Sequence, residues 1–144
     1  MKTLLFPRPK LLARTFLKEQ LPAFGADMPV EHRNPDPLPE RWVRLDTESG
    51  PQTLGTLDVF ITAYIYNKRN SSQAEEDSGL VRSLMHDAPG VAIPYPGGPA
   101  DFPWVVRSRH ISGPSDLGDE DLPGASMYRV ITQWTLHYLK EIST

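Results

Sequence analysis

Residues 54–67, LGTLDVFITAYIYN, form the densest run of apolar, β-branched and aromatic residues in the chain. Such residues favour β-strands, in which alternate side chains point to opposite faces of the sheet. One alternate set is wholly apolar and predicts a face buried in the core: Leu57, Val59, Ile61, Ala63 and Ile65. The other set predicts an amphipathic face: Asp58, Phe60, Thr62, Tyr64 and Tyr66. We expect a helix to cover the apolar face, and either another subunit or water to lie against the amphipathic face.

Three further segments alternate in the same way and predict strands at residues 41–46, 104–111 and 127–139. Residues 28–33 predict a short additional strand. The turn-forming residues Ser49, Gly50 and Pro51 separate residues 41–46 from the central strand, so we expect these two strands to form an antiparallel hairpin.

Two segments have helical periodicity. In residues 9–21, Leu12 and Phe16 lie four positions apart, and we expect Pro22 to end this first helix. The second helix is expected to begin at Ser72, because Ser72 and Glu75 have the spacing of a capping box. Its apolar stripe continues to Ala88, and residues 89–90, Pro-Gly, are expected to end it.

Residues 112–126, SGPSDLGDEDLPGAS, contain almost no apolar side chains and predict a long, exposed acidic loop between the last two strands. Loops of this length are uncommon in small domains and are often functional. The loop lacks the alternating ligands of a calcium-binding EF-hand, so we interpret it as a solvated loop or a charged contact surface. Its carboxylates are Asp116, Asp119, Glu120 and Asp121.

Together these elements predict a single α+β domain spanning residues 1–144, with a mostly antiparallel sheet of about four strands packed against two helices on one side. The three tryptophans, Trp42, Trp104 and Trp134, all fall in predicted strands. We expect them in the core; if any faces outward, it becomes a candidate interface anchor.

Composition and charge restrict the possible functions. Fifteen Lys and Arg residues against eighteen Asp and Glu residues give a net charge of -3, which disfavours nonspecific binding to nucleic acid. The chain contains no cysteine, so disulfides and thiolate metal sites are excluded. The apolar run at residues 4–6 is too short for a secretory signal, and no run is long enough to cross a membrane, so we expect synthesis and assembly inside a cell.

No pattern in the sequence indicates a catalytic site, a cofactor or a metal centre. The histidines His32, His86, His110 and His137 lie far apart and lack metal-ligand spacing. The Gly97-Gly98 pair is not followed by the Lys-Ser/Thr of a phosphate-binding loop. We therefore expect a protein that is not an enzyme and has no catalytic, metal-binding or cofactor-binding residues.

Several short strings in succession resemble the tail terminator proteins of long-tailed, siphovirus-type bacteriophages, especially those of actinobacterial hosts. The strings are LKEQLP, PLPERWVRLDTESG, LDVFITAYIYN and LVRSLMHDAPG, followed by SGP, an acidic loop and PGASMYRVITQWTLH. The resemblance extends over residues 17–139, whereas residues 1–16 have no counterpart in it.

The resemblance implies a structural role. Proteins of that family form a homohexameric ring that caps the tail tube, ends its polymerisation and joins the tail to the head-completion, or stopper, protein. Double-stranded DNA passes through the ring without sequence recognition. The resemblance thus implies a virion protein at the head–tail junction, assembled in the host cytoplasm, with no membrane partner and no catalytic residues.

A ring subunit needs two different surfaces that bind each other. We expect the amphipathic strand face to supply one and the acidic loop or the turn at residues 46–53 to contact neighbours or the tail tube. The candidate ring or tail-tube interface therefore consists of Phe60, Thr62, Tyr64, Tyr66, Asp116, Asp119, Glu120 and Asp121.

Three alternatives remain open at this level. A neighbouring neck, head-completion or minor head protein is similar in size and class. A small enzyme with a site formed only by folding would show a deep pocket with convergent titratable groups. A host-encoded peptide-binding module would show an exposed, unpaired sheet edge.

Overall fold

The structure, a computed structural model, describes residues 1–144 and has an α+β fold with two helices and a mostly antiparallel sheet. The main sheet has five strands in the order β2-β3-β4-β6-β5, and only the β2–β3 pair is parallel. The two remaining strands form a separate antiparallel sheet. The elements are β1 Lys2–Leu5, α1 Pro9–Ala23, β2 Val30–Glu31, β3 Arg41–Gln52, β4 Thr56–Asn67, α2 Ser71–His86, β5 Val105–Asp116, β6 Ser126–His137 and β7 Lys140–Ser143.

The main core lies between the two helices and one face of the sheet. The apolar alternation of β4 was predicted to be buried, and Val59, Ile61, Ala63 and Ile65 are indeed almost completely inaccessible to solvent. Helix α1 contributes Phe16, whose ring meets Trp134 of β6 edge-on at a centroid distance of 5.5 Å. Both helices therefore cover the same face of the sheet.

All three tryptophans are buried, as the sequence predicted. Trp104 and Trp134 belong to the main core, and the indole N–H of Trp134 donates to the Met85 carbonyl at 2.9 Å. Trp42 lies on the opposite face of the sheet, in a small second cluster with Tyr66 and Met127. Residues from two loops, Leu38 and Leu122, pack against this second cluster.

The helix boundaries differ from two predictions. Pro22 does not end α1, which continues to Ala23, because a proline in the last turn removes only one N–H and its carbonyl still accepts from Gly25 at 3.0 Å. Helix α2 is capped by Asn70 rather than Ser72, since the Asn70 side chain accepts from the Gln73 N–H at 2.9 Å. Ser72 therefore lies inside the helix.

The β3–β4 hairpin is antiparallel as predicted, but its turn lies further along the chain. Strand β3 continues through the Ser49-Gly50-Pro51 segment, which an irregularity in the pairing between Ser49 and Gln52 accommodates. The turn occupies residues 53–55, where the Thr53 N–H donates to the Thr56 carbonyl at 2.9 Å.

The acidic loop is shorter than predicted because β5 continues through residues 112–116. Ser112 pairs with Ile131, and Ser115 pairs with Arg129, across two irregularities in the ladder. Gly113 permits this close approach, since its φ is +92° and a side chain there would collide with the Arg129 carbonyl oxygen. The connecting loop is thus reduced to residues 117–125, and Asp116 lies at the end of a strand.

The terminal strands β1 and β7 were not predicted, and with β2 they bring the strand count above the expected four. They pair with each other, Thr3 opposite Ile142 and Leu5 opposite Lys140. Their side chains are almost all exposed, so neither strand has the apolar alternation that reveals a strand in a sequence.

Candidate interaction surface

The face of the sheet opposite the helices is covered at one end only, by the loops over Trp42. Along the rest of this face, which we call the open face, the pairing of four strands aligns side chains in rows. Phe60, Thr62 and Tyr64 of β4 lie on this face and are half-buried, as is Ile131 of β6. The predicted amphipathic face therefore exists, and its centre is apolar and aromatic.

Tyr66, the fourth predicted interface residue on β4, is completely buried. Its ring stacks on Trp42 with a centroid distance of 4.6 Å and an angle of 5° between the planes. Its O–H donates to Asp119 Oδ2 at 2.8 Å and accepts from Arg44 Nη2 at 3.4 Å. The Tyr66 side chain therefore connects the sheet to the acidic loop and presents no free surface of its own.

The surroundings of Tyr66 keep its hydroxyl protonated at neutral pH. Burial raises the pKa of Tyr66, and the adjacent Asp119 carboxylate raises it further, which outweighs the lowering by Arg44. A neutral phenol is a hydrogen-bond donor, which matches its geometry toward Asp119.

Arg44 connects three side chains of the open face. Its guanidinium lies 4.2 Å from the centroid of the Tyr64 ring and forms an ion pair with Asp46 at 3.1 Å. Burial opposes its charge, but Tyr66, Asp46 and Tyr64 together raise the pKa of Arg44. Arg44 is thus charged, and its guanidinium pairs with Asp46 and Tyr66 within the chain.

The four predicted acidic residues differ in their surroundings. Asp119 is engaged twice: Oδ2 accepts from Tyr66, and Oδ1 accepts from the Asp121 N–H at 3.0 Å. Glu120 and Asp121 are exposed on the loop, and Asp116 is exposed at the end of β5. The structure brings Asp119 next to Tyr66, whereas Phe60 lies six residues away from Tyr66 on β4, far from the loop.

The two sides of the open face carry opposite charges, a feature that the sequence analysis missed. Asp46 and Glu48 lie on β3, at one side of the sheet, whereas Arg107 and Arg109 lie on β5, at the other. Because the strand order is not the chain order, residues 46–48 and 107–109 are related only through the three pairings β3–β4, β4–β6 and β6–β5. An alternation of Arg with small residues in a predicted strand is the only signal in the sequence.

The tip of the β3–β4 hairpin is a second exposed feature. Leu54 at its apex is 96% exposed. Thr53 and Thr56 hold the turn through their backbone bond and through their hydroxyls, whose oxygens are 2.6 Å apart. The hairpin therefore presents an apolar side chain on a hydrogen-bonded turn, at the end of β4 opposite the acidic loop.

A polar cavity of about 270 Å³ between α2 and β5 is lined by Arg82, Ser83, His86, Asp87 and His110. Burial and the nearby Arg82 lower the pKa of His110, so its imidazole is neutral at pH 7. The serine hydroxyl here forms no hydrogen bond with either histidine, and no three His, Asp or Glu side chains converge to hold a metal ion.

A larger cavity of about 420 Å³ lies where the acidic loop meets Trp42 and Leu38, and Lys68 and Arg69 line its rim.

Neither helix is long and apolar enough to cross a membrane.

A search of protein-family models and a search of curated proteins each found no match to this chain.

Proposed function

We propose that this protein is a phage tail terminator: a subunit of a homohexameric ring that caps the tail tube, ends its polymerisation and joins the tail to the head-completion protein. The resemblance over residues 17–139 supports the family, and the α+β fold with a helix-backed sheet is compatible with it. The proposed location is the head–tail junction of the virion, after assembly in the host cytoplasm.

The main support for the proposal is the sheet, which has one open amphipathic face between two different free edges. A ring that closes by rotation requires two unlike surfaces on each subunit, because each copy binds its neighbours in a head-to-tail manner. At one edge, β2 pairs only with Val43 and Arg44, so β3 has no partner strand beyond them. At the other edge, β5 pairs with β6 alone.

The two ends of the sheet are also unlike, which suits a ring placed between two different partners. Leu54 precedes β4, and the acidic loop is bonded to Tyr66 near the other end of that strand. Twelve residues of strand at about 3.3 Å each separate these features by about 40 Å. We assign one end to the tail tube protein and the other to the head-completion protein.

The charge of the chain supports a lumen through which DNA slides. A net charge of -3 provides no general attraction for phosphates, so the duplex would pass without being held. The open face carries both signs of charge rather than a continuous basic patch.

Deletion of the gene in the phage that encodes this protein tests the proposal. A terminator that ends polymerisation predicts tails of uncontrolled, greater length and heads without tails, and restoration of both defects by the wild-type protein. Tails of normal length joined to heads would contradict the proposal.

The second candidate is a neighbouring head-completion protein of the neck, which also needs ring-forming edges and two unlike ends. The same deletion separates the two functions, because loss of a head-completion protein leaves tails of normal length that fail to join heads.

A further inference from the structure

We propose that adjacent copies of this protein bind each other through Glu48 on β3 of one copy and the pair Arg107 and Arg109 on β5 of the next. This inference rests on the proposed ring and assigns its lateral contact to named side chains. The proposed partner is a second copy of the chain. It would pair the charged side chains on β3 and β5 that have no ion-pair partner within one copy.

The first support is that all three charges lack a partner of opposite sign. Glu48, Arg107 and Arg109 are exposed, and none forms an ion pair within the chain. Other exposed charges nearby are engaged, as Asp46 is with Arg44. Charges that a single copy leaves unpaired, on opposite sides of one face, are available to pair between copies.

The second support is that the arginines form a ready receptor for a carboxylate. A polar cavity of about 330 Å³ is lined by Arg107, Ser108, Arg109, Gln133 and Thr135, with no acidic side chain among them. Arg109 Nη2 donates to Gln133 Oε1 at 2.7 Å, which orients the guanidinium and leaves its other N–H groups free. The nearest acid across the strands, Asp58, accepts instead from the Thr135 hydroxyl at 2.7 Å. A guanidinium held in this way binds a carboxylate with two parallel hydrogen bonds.

The third support is that Glu48 and Arg109 lie at the same position along the strand direction. Glu48 pairs with Phe60, Phe60 pairs with Gln133, and Gln133 pairs with Arg109, so the acid and the base lie in one row across the sheet. Two copies placed side by side without a shift along the strands therefore bring Glu48 of one next to Arg109 of the other. A closed ring requires a contact without a shift along its axis, because a shift at each step would produce an open helix.

The edge of β5 indicates that side chains, rather than a shared backbone ladder, form the contact. The β5–β6 pairing is irregular at three places, and such bulges interrupt the regular backbone groups that another strand would need. Val106 and Ile111, at two of these irregularities, are 53% and 39% exposed. They add apolar contact area beside the two arginines.

Cysteine crosslinking tests the geometry, because the chain has no cysteine of its own. The variant carrying both Glu48→Cys and Arg109→Cys is oxidised, as purified protein and in purified phage particles. The two positions are three strand spacings apart within one chain, about 14 Å, which is beyond the reach of a disulfide. We expect a ladder of crosslinked species that ends at a closed hexamer, and a variant with Glu19→Cys and Arg109→Cys to give no ladder because Glu19 is exposed on helix α1.

Charge reversal tests the energetics. Glu48→Arg alone and Arg109→Glu alone are each expected to weaken self-association at least tenfold, and the variant with both changes to recover most of the loss. The matched controls Glu19→Arg and Arg8→Glu make the same charge changes at exposed positions on and beside helix α1 and should leave self-association within about twofold.

The outcomes separate this inference from the proposed function. Hexamers without the 48–109 crosslink would overturn the contact while the ring stands. Absence of any oligomer of the wild-type protein, both in solution and in particles, would overturn the contact and the ring together.

Discussion

At the scale of single residues, the most informative side chain is Tyr66, which the strand pattern assigns to an amphipathic face and the fold buries. The alternation correctly predicts the face of β4 on which it lies. It does not predict burial, because the covering residues Leu38 and Leu122 belong to loops distant in sequence. Tyr66 thus supports the candidate surface by holding Asp119 and the loop in place.

The change Tyr66→Phe should destabilise the protein by about 1–2 kcal/mol, because it leaves the Asp119 carboxylate and Arg44 without their shared hydroxyl. Urea unfolding measures this loss, and hydrogen exchange should show faster opening of residues 117–125. The matched change Tyr64→Phe removes a hydroxyl from the half-buried Tyr64, which forms no hydrogen bond within the chain, and should cost less than about 0.5 kcal/mol. Equal effects of the two changes would show that the Asp119 bond contributes nothing.

Asp77 on α2 is the charged side chain that the fold buries most deeply. Burial raises the pKa of Asp77 above its ordinary 3.8, although the hydrogen bond from Gln73 and the charge of Arg41 lower it. Its Oδ1 accepts from Gln73 at 2.9 Å, whereas Oδ2 lies 3.5 Å from Arg41 without a hydrogen bond. Because the folded state holds the proton at a higher pH than the unfolded state, stability falls as pH rises from about 3.8 through the raised pKa.

Asp77→Asn should therefore reduce the decrease in the free energy of unfolding between pH 4 and pH 7. At pH 7 the variant should be as stable as the wild type or up to about 1 kcal/mol more stable. The asparagine oxygen can still accept from Gln73. Urea unfolding at several pH values measures the effect, with Glu75→Gln as the control, since Glu75 is an exposed carboxylate of the same helix and is not among the groups that shift the pKa of Asp77. A loss of more than about 1 kcal/mol at pH 7 would show that the Arg41 ion pair outweighs the cost of burial.

At the scale of the elements, the sequence predicted those whose own pattern determines them. Helix α1, the central strand β4 and the strand β6 each carry a clear apolar periodicity, and each lies where the pattern places it. The elements that the sequence missed depend on distant partners. Strand β1 pairs with β7 at the other end of the chain, and within residues 112–116 Gly113 lies directly against the Arg129 carbonyl of β6.

The acidic loop has two parts with different roles, which changes how its function should be tested. Asp119 anchors the loop to the sheet, whereas Glu120 and Asp121 are exposed. Reversing all three charges would combine a loss of anchoring with a loss of surface charge. The informative variant keeps Asp119.

The double change Glu120→Lys and Asp121→Lys should impair the joining of tails to heads while stability changes by less than about 0.5 kcal/mol. The loss arises because the charges that orient the partner are reversed. Phage yield and electron microscopy measure joining, and urea unfolding measures stability. The control Glu75→Lys with Glu76→Lys makes the same charge change on α2, where both residues are exposed, and should join normally. Normal joining by the loop variant would exclude the loop from the contact.

At the scale of the whole molecule, the candidate surface arises from the order of the strands. The residues predicted from sequence, such as Phe60 and Tyr64, supply the middle of the open face. Its two sides carry opposite charges, Glu48 on β3 and Arg109 on β5. Sequence could not relate them, because their alignment passes through three consecutive strand pairings. Two unlike edges and two unlike ends are compatible with the proposed ring, which requires two different surfaces on each subunit.

The most direct test of this account is the position of the protein in the particle. Electron microscopy with a gold-labelled antibody against the protein, applied to intact phage and to isolated tails, reports that position. The account predicts label at the head–tail junction of intact phage and at the head-proximal end of isolated tails. Label elsewhere on the particle, or no label on intact and disrupted particles alike, would contradict it.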